Sequence, residues 1–251
     1  MKTTALLKCI GLVCAWLFSV KFLGVLFQNT YIIRFLSVLI MGILSFYMSR
    51  RAEAVLLSSG EKPKMRIILL SVVSGVGLSF FNMITVVQVM MGGTAAEVTE
   101  ISAGVTENLV LYSIFSLSGA VVEELFFRGI LLNLCRPYYK SAAAIIIPSA
   151  FFSLTHLYPM MMLHTFISGI VFGYFYYYTR NVCIPVLIHV TINLMWSTTL
   201  NLHIFSPVIS LMGEVPGVVF MVVTGLVMAG GSMIVFHRKY VKEKIRKNGT
   251  R

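Results

Sequence analysis

Aspartate is absent from this chain: all nine acidic residues among its 251 are Glu. Any mechanism built on an aspartate is therefore excluded, including the paired aspartates of aspartyl intramembrane proteases. Charge of either sign is scarce, with 12% charged residues against 58% hydrophobic ones, where a soluble domain carries about 25% charged. The four cysteines, Cys9, Cys14, Cys135 and Cys183, contain no C-x-x-C spacing and at least two lie within apolar segments, so they read as free thiols that pack like small apolar residues. Also missing are His-Glu-x-x-His, as a site-2-type metalloprotease would need, and Gly-x-Ser-Gly, as a rhomboid would need; the nearest string, Ser58-Ser59-Gly60, lies in a charged loop.

What is present is long apolar runs. The mean hydropathy of +0.89 exceeds what a 28.0 kDa chain can hide in its own core, so the runs need lipid. At about 20 residues per crossing, spans fall near 9–27, 31–49, 67–92, 109–134, 141–157, 160–179, 182–200 and 216–236. The expected fold is an all-α, polytopic membrane helix bundle of about eight transmembrane helices.

The surplus of base has a position. Seven of the twenty Lys and Arg lie in the last 14 residues, and five more lie between Arg50 and Arg66, at the edges of apolar runs. This is the positive-inside pattern and not a nucleic-acid patch. With both termini cytoplasmic, the connections Arg50 to Arg66 and Arg136 to Lys140, Arg180 and the tail share that face. The outer connections are then 201–215 and 93–108, which carries Glu97, Glu100 and Glu107 with no Lys or Arg; Lys21 and Arg34 are the exceptions on that side. The expected location is the plasma membrane. The first run lacks an A-x-A-like site and is interrupted by Lys21, so it is expected to stay as a helix and not to be cleaved as a signal peptide. Along the chain, 1–108 reads as an N-terminal three-span region, 109–200 as the core that carries the polar groups, and 201–251 as the last span with its basic tail.

An ionised side chain within a span costs from about 2.5 kcal/mol upward, so each should have a partner or a task. In Glu123-Glu124-Leu125-Phe126-Phe127-Arg128, Glu124 and Arg128 stand i and i+4, close enough to pair, while Glu123 points about 100° away around the axis. One carboxylate is thus neutralised and its neighbour is a candidate base. The fifth span ends in Phe152-Ser153-Leu154-Thr155-His156, and the seventh carries His189 and Asn193 on one helix face, with Pro185 in its first turn. Glu123, His156, His189 and Asn193 together could supply a base, a proton shuttle and carbonyl-polarising donors. A structural ion-pair cluster and packed histidines are the plainer readings of each motif alone.

Glu-Glu-x-x-x-Arg, Phe-x-x-x-His and His-x-x-x-Asn, in this order and on successive polar-bearing spans, resemble the three motifs of the CAAX-protease and bacteriocin-processing (Abi) family of intramembrane proteases. The flanks Phe166-x-x-Gly169-x-x-x-Gly173, Thr179-Arg180 and Pro185 agree, and the resemblance covers roughly residues 115 to 200. It implies hydrolysis of a peptide bond in a membrane-associated or small peptide substrate. Glu123 would activate a water, His156 would share that water or its proton, and His189 and Asn193 would stabilise the oxyanion. Glu124 and Arg128 would hold the helix in place. A second reading makes Glu123, His156 and His189 ligands of zinc. The glutamate-activated water is preferred, with no cofactor required, because Asn193 is a poor zinc ligand and a good oxyanion donor.

The competing functions are a non-catalytic membrane scaffold or bacteriocin self-immunity protein, and a proton-coupled transporter, in which His-x-x-x-Asn has no natural place. His164 reads as an interfacial residue, and His203 and His237 receive no role. Gly169-x-x-x-Gly173 permits close helix approach, Tyr174, Tyr176, Tyr177 and Tyr178 read as an interfacial belt, and Met160 to Met162 as a pliable surface. Straight helices would leave the polar groups at different depths, so tilt, or a bend at Pro148, is expected to bring them together near mid-membrane.

Overall fold

A computed structural model describes residues 2–26, 30–52, 63–85, 109–156, 159–202 and 206–249. The acidic connection 93–108, His203 and most of the connection between Arg50 and Arg66 lie outside the described residues. Every described element is a helix: α1 Lys2–Leu26, α2 Thr30–Ala52, α3 Met65–Phe81, α4 Leu109–Glu124, α5 Asn133–Cys135, α6 Ser141–Leu154, α7 Pro159–Thr179, α8 Cys183–Leu202, α9 Ser206–Met212, α10 Glu214–Phe236 and α11 Lys242–Gly249. Two π-helical stretches, Leu125–Leu132 and His237–Val241, join α4 to α5 and α10 to α11.

Among the described residues each apolar run read from the sequence falls mainly on helix, and residues 86–92 of the third run lie outside them. Two segments, Lys2–Leu23 and Glu214–Arg246, are long and apolar enough by themselves to cross a membrane, and Phe35–Ser45, Met65–Phe81, Ser141–Leu154 and Cys183–Trp196 are shorter apolar helices. Their outward faces are apolar too. Phe18, Phe22 and Val25 of α1 and Phe220, Val223 and Val227 of α10 are all more than half or about half exposed, an arrangement that water disfavours and lipid accepts. The connection 201–215 holds α9, started by Ser206 with Pro207 in its first turn, and the basic tail continues α10 as helix.

The helices form two compact units, neither of which is a consecutive stretch: Met1–Glu61 with Ile114–Val186, and Lys62–Ser113 with Leu187–Arg251. In the first, α6 and α7 meet along Gly169 and Gly173, as the small-xxx-small spacing predicts. A Cβ on Gly169 would stand 3.0 Å from Ser149 Cβ, and one on Gly173 would stand 3.0 Å from Ile145 Cγ2. Helix α1 is tied to the same unit by the buried thiols of Cys9 and Cys135, whose sulfurs are 3.8 Å apart, and by Trp16, edge-on to Phe127 at 6.4 Å. All four cysteines are free.

Tyr176 departs from the expected aromatic belt. It is fully buried, and its hydroxyl accepts a 2.7 Å hydrogen bond from the Asn133 amide, which also donates to Gly129 O at 2.8 Å. The amide oxygen of Asn133 accepts from Arg180 Nη1 at 3.0 Å. This bond helps to hold Arg180 at φ 57°, the left-handed conformation that ends α7 and that costs a non-glycine residue roughly 1 to 2 kcal/mol. Asn181 Oδ1 then accepts from Cys183 N at 3.0 Å and opens α8, placing Pro185 in the first turn as expected.

In the second unit α3 and α10 cross backbone to backbone. A Cβ on Gly77 would stand 2.8 Å from Ala229 N, and one on Gly225 would overlap Gly77 O and lie 2.5 Å from Phe81 N. Ser74 and Ser232 share a 2.5 Å hydrogen bond beside the crossing. Gly75 packs in the same way on α8, where a Cβ would stand 2.8 Å from Ile188 O. Met83, Val218 and Met221 form the buried cluster of this unit.

Candidate active site

Arg128 organises the first unit's polar centre. Burying a guanidinium costs several kcal/mol unless its donors and its charge are both matched, and here they are. The side chain is fully buried, Nη1 donates to Glu124 Oε1 at 2.8 Å and Nη2 donates to the Gly169 carbonyl at 3.1 Å. The guanidinium carbon lies 4.7 Å from the ring centre of Phe152 and 4.9 Å from that of Phe172, so two aromatic faces replace the water it has lost. The Gly169 carbonyl is within reach because α6 and α7 touch there, which gives the glycine pair a second consequence beyond packing.

Glu123 and Glu124 diverge as the helical angle requires. Glu124 is fully buried. Glu123 is only partly buried; it lies within electrostatic range of Arg128, and a Cβ placed on Gly119, one turn earlier, would stand 3.9 Å from its Oε1. The absence of a side chain at Gly119 therefore leaves room along that flank of the carboxylate. Directly after the pair the chain enters the π-helical stretch Leu125–Leu132, a form that often occurs at functional sites.

His156 stands just past the end of α6, where Thr155 caps the helix. Its Nδ1 is 2.9 Å from the Phe152 carbonyl. A carbonyl only accepts, so in the neutral ring Nδ1 carries the proton and Nε2 is the basic nitrogen. The imidazole also packs edge-on to Phe152 at 4.8 Å. Phe152 thus touches both Arg128 and His156, and joins the Glu-Glu-x-x-x-Arg and Phe-x-x-x-His motifs by one side chain.

His164, read from the sequence as interfacial, is buried and interacts electrostatically with His156. It sits near the start of α7, and the Ser153 hydroxyl, which donates to Met162 O at 2.7 Å, holds that start against the end of α6. Spacing from His156 gave no hint of this, because the two residues lie on opposite sides of a helix break.

In the second unit His189 is buried and Asn193 partly buried, one turn apart on α8. Their register is set by Gly75, which seats the Ile188 and Thr191 side of α8 against α3. Among the described residues no three His, Cys, Asp or Glu side chains stand grouped as a metal-binding set.

The first unit thus brings together a buried carboxylate–guanidinium pair, a second carboxylate beside it and a histidine held through a backbone carbonyl. Residues 105–195, which contain all three motifs, match the family described as type II CAAX prenyl endopeptidase, Rce1-like, a match that supports a membrane-embedded protease of the CAAX type. No curated protein and no solved structure matches the chain.

Proposed function

We propose that the protein is an intramembrane endopeptidase of about eight crossings in the plasma membrane, with both termini cytoplasmic, that hydrolyses a peptide bond of a membrane-associated or short peptide substrate. Glu123 takes a proton from water as the oxygen attacks the scissile carbonyl carbon. His156, with Nε2 as its basic nitrogen, shares that water or relays the proton to the departing amine as the C–N bond breaks. His189 and Asn193 hold the part that the resemblance assigns them, donors to the tetrahedral oxyanion. Glu124 and Arg128 are positioning residues. No step is routed through a metal. Peptide processing, or self-immunity by destruction of a peptide, would be the biological use.

The observation that carries this reading is the division of labour within the Glu pair. Arg128 holds Glu124 in a sealed aromatic cradle, and the same cradle contains Phe152, the residue that orients His156. A purely structural ion pair has no need of the second carboxylate or of that histidine.

The test is to express wild type, Glu123→Gln and His156→Ala at equal levels and to compare new N-termini in membrane proteins and secreted peptides by mass spectrometry. Cleavages found only with wild type support the assignment. Undiminished cleavage by both variants removes it, and a phenotype retained by Glu123→Gln without any cleavage favours the scaffold. Treatment of the purified protein with a strong chelator decides the cofactor: full activity in a metal-free sample supports the glutamate-activated water, whereas loss restored by Zn²⁺ reverses the preference.

A further inference from the structure

Where α3 begins and α10 ends, the second unit holds a cleft of about 350 Å³. Its floor is apolar, made by Ile67, Leu70 and Phe236, and its rim carries the cations Lys64, Arg66 and Lys239. Tyr240 and Glu243 complete the wall. Both helices change character at this level. On α3, Lys64 and Arg66 give way to Ile67-Ile68-Leu69-Leu70, and on α10 the run ending at Phe236 gives way to Arg238 and Lys239. In a membrane protein such a change marks the plane between hydrocarbon and headgroups.

Three observations converge on the occupant. The first is charge: three cations face one carboxylate, and among the described residues Lys64, Arg66 and Lys239 form no ion pair with protein. The second is the first turn of α3, which opens here with no side-chain cap on its backbone N–H groups, so the positive end of a 17-residue helix adds to the attraction for an anion. The third is apolar continuity. Leu69 and Val73 of α3 and Ile234 of α10 are exposed on the apolar stretches that lead away from the cleft, so a molecule with a charged head and hydrocarbon tails finds both surfaces in sequence. The volume lies at the low end for a ligand pocket and suits a headgroup alone. Phe236 and Tyr240, stacked at 5.1 Å with planes 19° apart, stiffen one wall, and Lys244 lies 5.6 Å over the Tyr240 ring.

We propose that this cleft is a binding site for the headgroup of one anionic glycerophospholipid, with its phosphate between Lys64, Arg66 and Lys239 and its acyl chains on the exposed apolar faces of α3 and α10. Basic pockets between membrane helices are known to take such headgroups. This inference is independent of the peptidase reading, since none of the cleft residues belongs to the candidate active site.

The test uses the full chain in neutral detergent, with phosphatidylglycerol as probe and phosphatidylcholine as comparator, and counts retained lipids by native mass spectrometry. Wild type should keep one phosphatidylglycerol at concentrations where no phosphatidylcholine stays bound. Near a membrane surface each cation contributes about fivefold, so Lys64→Gln/Arg66→Gln/Lys239→Gln should weaken retention roughly a hundredfold. The control Arg238→Gln/Lys242→Gln/Lys244→Gln removes the same charge from the same helical end outside the rim, and should change retention less than about fivefold. Equal losses in both triple variants would reduce the effect to diffuse surface charge and overturn the site, as would no loss in the rim variant. Displacement of the lipid by millimolar glycerol phosphate would show a site for a soluble phosphate instead. All six substituted side chains are exposed, so both variants should accumulate as folded protein.

Discussion

Removal of one member of the Glu124–Arg128 pair should cost far more than removal of both. Arg128→Met leaves a carboxylate in a site with 0% exposure, and the cost of such a stranded buried charge is about 3 to 5 kcal/mol. The unfolded chain within a bilayer also finds partners for its polar groups, so the lower figure, about 3 kcal/mol, is expected. Glu124→Leu should cost about as much, because it strands a guanidinium. The double variant Glu124→Leu/Arg128→Met fills the space with apolar atoms and leaves the Gly169 carbonyl short of one donor, for about 1 to 2 kcal/mol. Arg128→Lys should fall between, since an ammonium cannot serve Glu124 and Gly169 in the planar fork or spread over Phe152 and Phe172. Trp16 provides the assay: it packs edge-on to Phe127 at 6.4 Å, and with Trp196→Phe in the background it is the sole tryptophan of the chain. Its fluorescence, followed through denaturation in mixed micelles, gives the four stabilities of a double-mutant cycle. A double variant as unstable as the sum of the singles would refute the coupling and with it the cradle.

Three further outcomes follow from the same geometry. Gly225→Ala places a methyl group into the backbone of α3 and should destabilise by about 3 kcal/mol, whereas Gly230→Ala, with nothing within 4 Å of its Cβ, should gain up to about 1 kcal/mol from helix propensity; thermal denaturation of the purified variants separates them. Gly169→Val should lower both stability and proteolysis, because the Gly169 carbonyl and the seat of Arg128 move together; unchanged cleavage by this variant would detach Arg128 from function. His164→Ala should destabilise by about 1 to 3 kcal/mol in the same thermal denaturation, since the ring is buried near the start of α7, and an unchanged midpoint would show that the fold does not depend on it.

The sequence carried the ion pair and the helix placements because both depend on spacing within one helix. Glu124 and Arg128 are one turn apart and reach each other without help from the rest of the fold, and His189 and Asn193 share one face of α8 by the same spacing. What it could not carry was the identity of the neighbours. Nothing distinguishes Phe172 among 18 phenylalanines until α7 is packed, the Phe-x-x-x-His motif marks Phe152 without showing that its ring meets Arg128, and Gly169 accepts from Arg128 through a backbone carbonyl that leaves no side-chain signature. The Tyr run was misread at Tyr176 for a related reason: four tyrosines within five positions must point to several sides of a helix, and only the fold shows that one of them meets Asn133. The α3–α10 crossing is foreshadowed by Gly225-x-x-x-Ala229 on one helix, but its partner glycine lies far away in sequence. The π-helical stretch after Glu124 was not read from the sequence, where these residues lie inside one apolar run.

The central role of Phe152 explains why the first two motifs are joined. Arg128 in a dry site needs aromatic faces because no water solvates it, and Phe152 presents its ring at 4.7 Å. Once that ring is fixed, so is the end of α6, and the carbonyl of the same residue accepts from His156 Nδ1. The proton on Nδ1 in turn leaves basicity on Nε2. The carboxylate on α4 is thereby linked through Arg128 and Phe152 to the histidine just past the end of α6, whose Nδ1 bonds to the Phe152 carbonyl. Glu123, also on α4 and flanked by Gly119, is only partly buried. The adjacent glutamates thus stand differently: Glu124 is sealed beside Arg128, and Glu123 is the one to which the proposed mechanism gives the base.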